Sequence, residues 1–120
     1  MARPPRNTTD VRDALAVYGY LLLTAQQTAK AHAVFKGMHV MFPDDVHVTK
    51  SLALTSLATG DPQAAVTLAE SVRAAVSEEE RMALDVVRGK ALHALGRPDE
   101  ARQLLEAALT ARRARTVNGR

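Results

Sequence analysis

Apolar side chains recur at three- and four-residue spacing along most of the chain, the signature of helices that bury one face. Between about Asp10, a candidate N-cap, and Thr24 the stripe is Leu15, Tyr18, Gly19, Leu22 and Leu23. From about Thr28 to Met41 it is Ala31, Val34, Phe35 and Met38, and Pro43 stops that run. A third helix, about Val46 to Thr59, carries Leu52, Ala53, Ser56 and Leu57 inward, with Asp44 and Asp45 placed to complement its dipole. A fourth, from Pro62 to about Val76, carries Ala65, Val66, Leu68, Ala69 and Val72. Ser77 and Glu80 read as a capping box that opens a fifth helix ending near Leu95. The sixth runs from Pro98 to about Ala114, with Ala101, Leu104, Leu105, Ala108 and Leu109 inward. Six helices in three hairpins predict an all-α fold.

The hairpins repeat. Gly60-Asp61-Pro62-Gln63-Ala64-Ala65 and Gly96-Arg97-Pro98-Asp99-Glu100-Ala101 are two writings of one turn. In each, Gly allows the left-handed residue that ends a helix, and Pro sits at the first helical position, where its missing N–H costs nothing. Twelve residues before the closing Ala stands a small residue, Ala53 or Gly89, and four residues after it Ala69 or Leu105. The same ruler finds Gly19, Ala31 and Phe35, with Pro43 eight residues beyond Phe35. Ala31 to Ala65 is 34 residues and Ala65 to Ala101 is 36, so the third unit is displaced by two. A 34-residue helix-turn-helix unit with this order of small, large and Pro positions is the tetratricopeptide pattern. The first turn, Gln26-Gln27-Thr28, departs from it by lacking Gly.

The expected organisation is a disordered basic segment over residues 1–9, one tetratricopeptide domain over 10–115 and a flexible tail over 116–120. The repeats fall at about 12–43, 46–77 and 78–114, stacked into a short right-handed superhelix with a concave groove. The sixth helix has no polar capping helix after it in this reading. The uncovered end and the concave face therefore call for a partner, self-association or a polar surface.

Composition narrows the chemistry. Aromatic residues are 3% of the chain, so the core must be Leu, Val and Ala. There is no Cys, which removes disulfides and thiol chemistry. No apolar run approaches the roughly 20 residues of a membrane helix, and no hydrophobic stretch follows Met1–Arg6, which predicts a cytoplasmic protein. The net charge of +3 is concentrated at the two ends, in Arg3, Arg6 and Arg12 and in Arg112, Arg113, Arg115 and Arg120. Without an aromatic platform or a basic stripe between them, these read as solvated or dipole-complementing residues and not as a nucleic-acid surface.

Candidate catalytic groups are missing. His32 and His39 lie seven residues apart on one helix, too far to share an ion without a third ligand, and His47 and His93 stand alone. The glycines fall at repeat positions and no Gly-rich loop follows a strand. Ser51, Ser56, Ser71 and Ser77 sit in repeat or capping contexts. The expectation is no catalytic residue, no cofactor and no metal.

What remains is a binding groove. Its lining comes from the first helix of each hairpin: Asp13, Ala16, Tyr20 and Leu23, then His47, Lys50, Leu54 and Leu57, then Ala83, Val86, Lys90 and His93. The set is mostly apolar, with Lys50 and Lys90 as its cationic anchors, and suits an amphipathic helix or an extended apolar segment better than a carboxylate tail. Leu54 and Leu57 have the alternative of burial between helices.

Val17-Tyr18-Gly19-Tyr20-Leu21-Leu22-Leu23, Met41-Phe42-Pro43-Asp44-Asp45 and the Gly96–Ala101 turn together resemble the small tetratricopeptide chaperones of bacterial type III secretion systems, nearest the YscY type, over about residues 14–112. That resemblance implies a cytoplasmic, non-enzymatic chaperone that holds a small secreted YscX-like protein as a heterodimer and serves an export-apparatus component. Self-association of the free chain into a homo-oligomer is the alternative that its uncovered faces leave open, and the charge and hydropathy patterns predict neither nucleic-acid binding nor membrane insertion. Needle-subunit chaperones of the YscG type share the fold, and a generic scaffold outside secretion is the reading from another class.

Overall fold

The computed structural model describes residues 8–118. They form α1 (Thr8–Thr24), α2 (Thr28–Met41), α3 (Val46–Ala58), α4 (Pro62–Val72), a 3₁₀ turn (Arg73–Ala75), α5 (Glu78–Ala94) and α6 (Pro98–Asn118), with no strand among the described residues. Consecutive helices pack on one another throughout, and α3 also meets α5, so three helical hairpins stack into one array.

The ends of the elements differ from expectation in three places. α1 begins at Thr8, so Thr8 and Thr9 are helical and Asp10 lies in the first turn, not at the N-cap. The remainder of the expected irregular segment, residues 1–7, lies outside the described residues. α4 ends at Val72, short of the expected Val76, and a 3₁₀ turn follows it; the two residues inserted before the third unit fall where α5, with 17 residues against 13 in α3, gains a turn at its start. α6 runs past Ala114 to Asn118, so 116–118 are helical where a flexible tail was expected, and 119–120 lie outside the described residues.

The three turns have one geometry. Gln26, Gly60 and Gly96 have φ of +61°, +90° and +77°, one repeat apart from each other. In each, the following residue's N–H returns to the carbonyl five residues back: Gln27 to Leu22, Asp61 to Ser56 and Arg97 to Leu92, at 2.8–2.9 Å. That is the bond that closes a helix through a left-handed residue. The glycine missing from the first turn is thus replaced by a glutamine in the same strained conformation.

Each hairpin closes at a small residue. Gly19 faces Phe35, and a Cβ there would stand 2.6 Å from the ring. Gly89 faces Leu105 in the same way, at 2.8 Å. In the middle hairpin Ala53 and Ala69 are both wholly buried, in one cluster with Val72, Val76 and Leu84. The first cluster gathers Ala31, Phe35, Met38, Val48 and Leu52, and the third gathers Ala65, Val66, Val87, Ala91, Leu92 and Ala101.

Two expected core residues are not in the core. Tyr18 is 52% exposed and Leu109 49%. Tyr18 occupies the place that Leu52 fills in α3, on the side packed against the preceding hairpin, and no described element covers that side of α1. Leu109 is one repeat beyond Arg73 and two beyond His39, on the side that a following helix covers, and α6 is the last described helix.

Ion pairs tie one hairpin to the next. Arg12 of α1 donates Nε and Nη2 to Asp45, the N-cap of α3, at 2.7 and 3.3 Å. Asp45 also accepts from the Val48 N–H at 3.1 Å. The Arg12 guanidinium, helped by that N–H, holds the Asp45 carboxyl below its usual 3.8 despite the opposing effect of burial. At the second joint Arg73 donates Nε and Nη2 to buried Asp85 of α5 at 2.9 and 3.1 Å, and Arg88 adds a third bond at 3.1 Å.

These contacts generate three expectations, each read from urea unfolding. Gln26→Gly relieves the left-handed strain at the expense of chain entropy and is expected to stabilise by roughly 0.5–1 kcal/mol; a loss of stability would contradict the turn geometry. Gly19→Ala drives a methyl into a fully buried ring and is expected to cost about 2 kcal/mol, and Gly89→Ala about 1, because half-buried Leu105 has room to turn aside; equal costs would contradict the packing. Asp45→Asn keeps the cap and removes the charge, for a cost of roughly 0.5–1 kcal/mol near neutral pH. A carboxyl with a lowered folded-state pKa stabilises above its unfolded pKa and loses that contribution as pH falls through the folded value. The difference between Asp45→Asn and the parent should therefore be constant above about pH 5 and shrink steadily as pH falls below about 4, through the lowered folded value. A difference that persists in acid would assign it to something other than the ion pair.

Candidate protein-binding face

The first helices of the hairpins, α1, α3 and α5, lie side by side, and named contacts fix their order. Beyond Arg12–Asp45, the Tyr20 hydroxyl of α1 is 3.0 Å from Ser51 Oγ of α3. Its ring packs tilted on Phe35 with centroids 5.4 Å apart. Lys50 of α3 donates to Glu80 of α5 at 2.6 Å.

The residues expected to line a groove fall into two groups. Leu54 of α3 is 48% exposed, Tyr20 46% and Val86 of α5 38%, while their neighbours Ala53, Thr55 and Val87 are buried. Asp13, His47, Ala83, Lys90 and His93 are exposed on the same helices. Ala16 and Leu23, by contrast, pack against the first core cluster, and Leu57 packs against the third. For Leu54 and Leu57 the alternatives therefore divide: Leu57 is held between helices, and Leu54 is open.

Lys50 is not the free anchor expected. Its ammonium is engaged by Glu80, whose carboxyl it holds below the ordinary glutamate range, with the Ser77 hydroxyl as second cause. The same pairing alters the capping box. Ser77 Oγ accepts from the Glu80 N–H at 3.2 Å, as a cap should, but its hydroxyl also donates to the Glu80 carboxylate at 3.1 Å. The Glu80 side chain thus bridges Ser77 and Lys50 across the α3–α5 junction, and Lys90 alone of the two lysines stays open.

The histidines of α2 serve packing. His32 Nδ1 lies 2.9 Å from Thr55 Oγ1 and His39 Nδ1 3.4 Å from Thr49 Oγ1, so both pin α2 to α3 through threonine hydroxyls. Among the described residues no three His, Cys, Asp or Glu side chains are grouped to hold a metal ion. No helix there is long and apolar enough to cross a membrane.

Two features escaped the sequence reading. One is the outer stripe of α1, where Val17 is 58% and Leu21 60% exposed beside Tyr18. Carrying the 34-residue ruler across would have found it, since Ser51, Leu52 and Thr55 in α3 occupy those places and are buried. The other is a cleft of about 530 Å³ between α5, α6 and the 3₁₀ turn, with four arginines at its edge. Its signal was equally present: Met38 and Val72 become Ala108 one repeat later, and Phe42 and Val76 become Arg112.

Residues 82–107, from the second turn of α5 to the middle of α6, match the tetratricopeptide repeat. No curated protein and no solved structure matches the chain. The two earlier hairpins keep the matched hairpin's left-handed turn and its small residue against the second helix. The chain is an all-α helical-repeat protein whose third hairpin matches the tetratricopeptide repeat over residues 82–107.

Proposed function

We propose that the protein is a non-enzymatic binding module that holds an apolar helical segment of another protein against the face formed by α1, α3 and α5. The observation that carries this reading is the exposure of Leu54 and Val86 on adjoining first helices, with Tyr20 beside them. Ala53 and Thr55 beside Leu54, and Asp85 and Val87 beside Val86, are buried, so these two side chains are left outside the core while the helices that bear them are firmly packed. An amphipathic helix laid along the face would bury all three, a common mode of helix-in-groove recognition.

The finer reading rests on the resemblance of Val17–Leu23, Met41–Asp45 and Gly96–Ala101 to type III secretion chaperones. On it, the partner is a small YscX-like secreted protein, kept unaggregated in a bacterial cytoplasm as a heterodimer until export. Aggregation of apolar helices is the hazard such a chaperone removes, and covering Leu54 and Val86 would stabilise the chaperone as well. A needle-subunit client is the neighbouring alternative within the same class. A self-assembling scaffold is a second reading, and the uncovered stripe Val17, Tyr18 and Leu21 favours it.

Co-expression with the small proteins encoded beside it, followed by size-exclusion chromatography with light scattering, tests the proposal. A stable heterocomplex is expected, and Leu54→Asp or Val86→Asp should each weaken it by at least about tenfold while leaving helical circular dichroism unchanged. Full retention of the partner by both variants would refute the assignment of this face. A homo-oligomer that ignores every neighbour and dissociates on Leu21→Glu would replace the chaperone with the scaffold.

A further inference from the structure

Each joint between hairpins carries one arginine–aspartate pair, at different repeat positions: Arg12 lies on a first helix and meets Asp45, the N-cap of α3, whereas Arg73 follows a second helix and meets Asp85 within α5. Beside each aspartate an apolar residue enters the preceding hairpin's core. Val48 of α3 joins Phe35 and Met38, and Leu84 of α5 joins Val72 and Val76.

The 530 Å³ cleft is the corresponding place on the third hairpin. Its floor is apolar, from Met82, Ala108 and Ala111, and its edge carries Arg73, Arg81, Arg112 and Arg115 against the two carboxylates Glu78 and Asp85. Two of those arginines are committed: Arg73 to Asp85, and Arg81 to the carbonyls of Arg73 and Val76. Arg115 faces Glu78 at 3.8 Å, a loose and exposed pair, and Arg112 has no partner among the described residues. Small Ala108 and charged Arg112 stand where Val72 and Val76 close the second hairpin, so the floor is open and the edge is positive.

We propose that this cleft receives the first turns of an acidic amphipathic helix from a partner protein, stacked on α6 as the next helix of the array. One apolar side chain would fill the floor, as Val48 and Leu84 do at the inner joints, and one carboxylate would meet Arg112 and Arg115. A second copy of this chain does not supply that chemistry. Stacking by its α1 would bring Val11 and Leu15 to the places of Asp45 and Asp85, with small Ala14 where Val48 and Leu84 stand. The site is separate from the face formed by α1, α3 and α5, and its test is separable from the test of that face.

The probe is a fluorescein-labelled synthetic helical peptide with an aspartate near its N-terminus, a leucine three residues later, the spacing of Asp45 and Val48, and glutamates on the opposite side. Its control carries asparagine and glutamine in place of the acids, and binding to the full chain is read by fluorescence anisotropy. The acidic peptide is expected to bind at least about tenfold more tightly than the control, and to lose most of that advantage in about 0.5 M salt. Arg112→Glu, which reverses the charge, and Ala111→Trp, which fills the floor from an exposed helical position, should each weaken it by about tenfold with helicity unchanged. Leu54→Asp should leave it as it was. Equal binding of the two peptides, or parent-like binding by Arg112→Glu and Ala111→Trp, would overturn the proposal. So would loss of binding in Leu54→Asp, which would move the peptide to the other face, or a homo-oligomer of the free chain that Arg112→Glu dissociates.

Discussion

Each hairpin depends on one place where two helices meet without room for an ordinary pair of side chains. The sizes of the two residues there are traded against each other. Gly19 accommodates Phe35, Gly89 accommodates Leu105, and Ala53 stands against the small Ala69. Close approach at that point sets how the helices of a hairpin cross, and the left-handed turn residue one helix-end away sets how the chain returns. With both constraints repeated, α1, α3 and α5 are brought to one side of the array. The exposed positions of those helices, Tyr20, Leu54 and Val86, then become a surface and not scattered apolar residues.

Stacking one hairpin on the next uses a different set of forces. Apolar burial supplies the area, through residues such as Val48 and Leu84. Direction comes from fewer, more specific bonds: two bidentate arginine–aspartate pairs, the Lys50–Glu80 pair and the two histidine–threonine contacts of α2. Bidentate guanidinium–carboxylate geometry fixes orientation as well as distance, which an apolar contact does not. The ends of the array differ as a consequence. α1 presents an uncharged stripe, while the outer side of α6 presents Arg102, Glu106 and Arg112 with Leu109 as its exposed apolar residue.

Much of this architecture was legible in the sequence, because stacked helical hairpins of this kind are specified by local chemistry at fixed offsets. Gly60, Gly96, Pro62 and Pro98 mark turns through their own backbones, and the ruler they define found Gly19 and Phe35 without a glycine in the first turn. What the ruler did not convey is which face of a given helix meets a neighbour. Tyr18 and Leu109 have apolar helical spacing yet lie on the two end faces, where burial depends on an element beyond the hairpin. Lys50 looked like a free cation because its partner Glu80 is thirty residues away and had been assigned a local capping role. Leu57 and Leu54 differ by three positions and only the three-dimensional path of α4 and α5 separates the buried one from the open one. Periodicity identifies helices and joints; it does not rank the exposed positions on them.

The central claim is that a partner is held on the side of α1, α3 and α5 that bears Leu54 and Val86. Amide hydrogen exchange of the free chain and of its co-purified heterocomplex addresses it most directly, because exchange reports protection helix by helix. The account predicts added protection concentrated in α3 and α5, with the second helices α2 and α4 little changed. Protection gained instead along α2 and α4, with α3 and α5 exchanging as in the free chain, would contradict it.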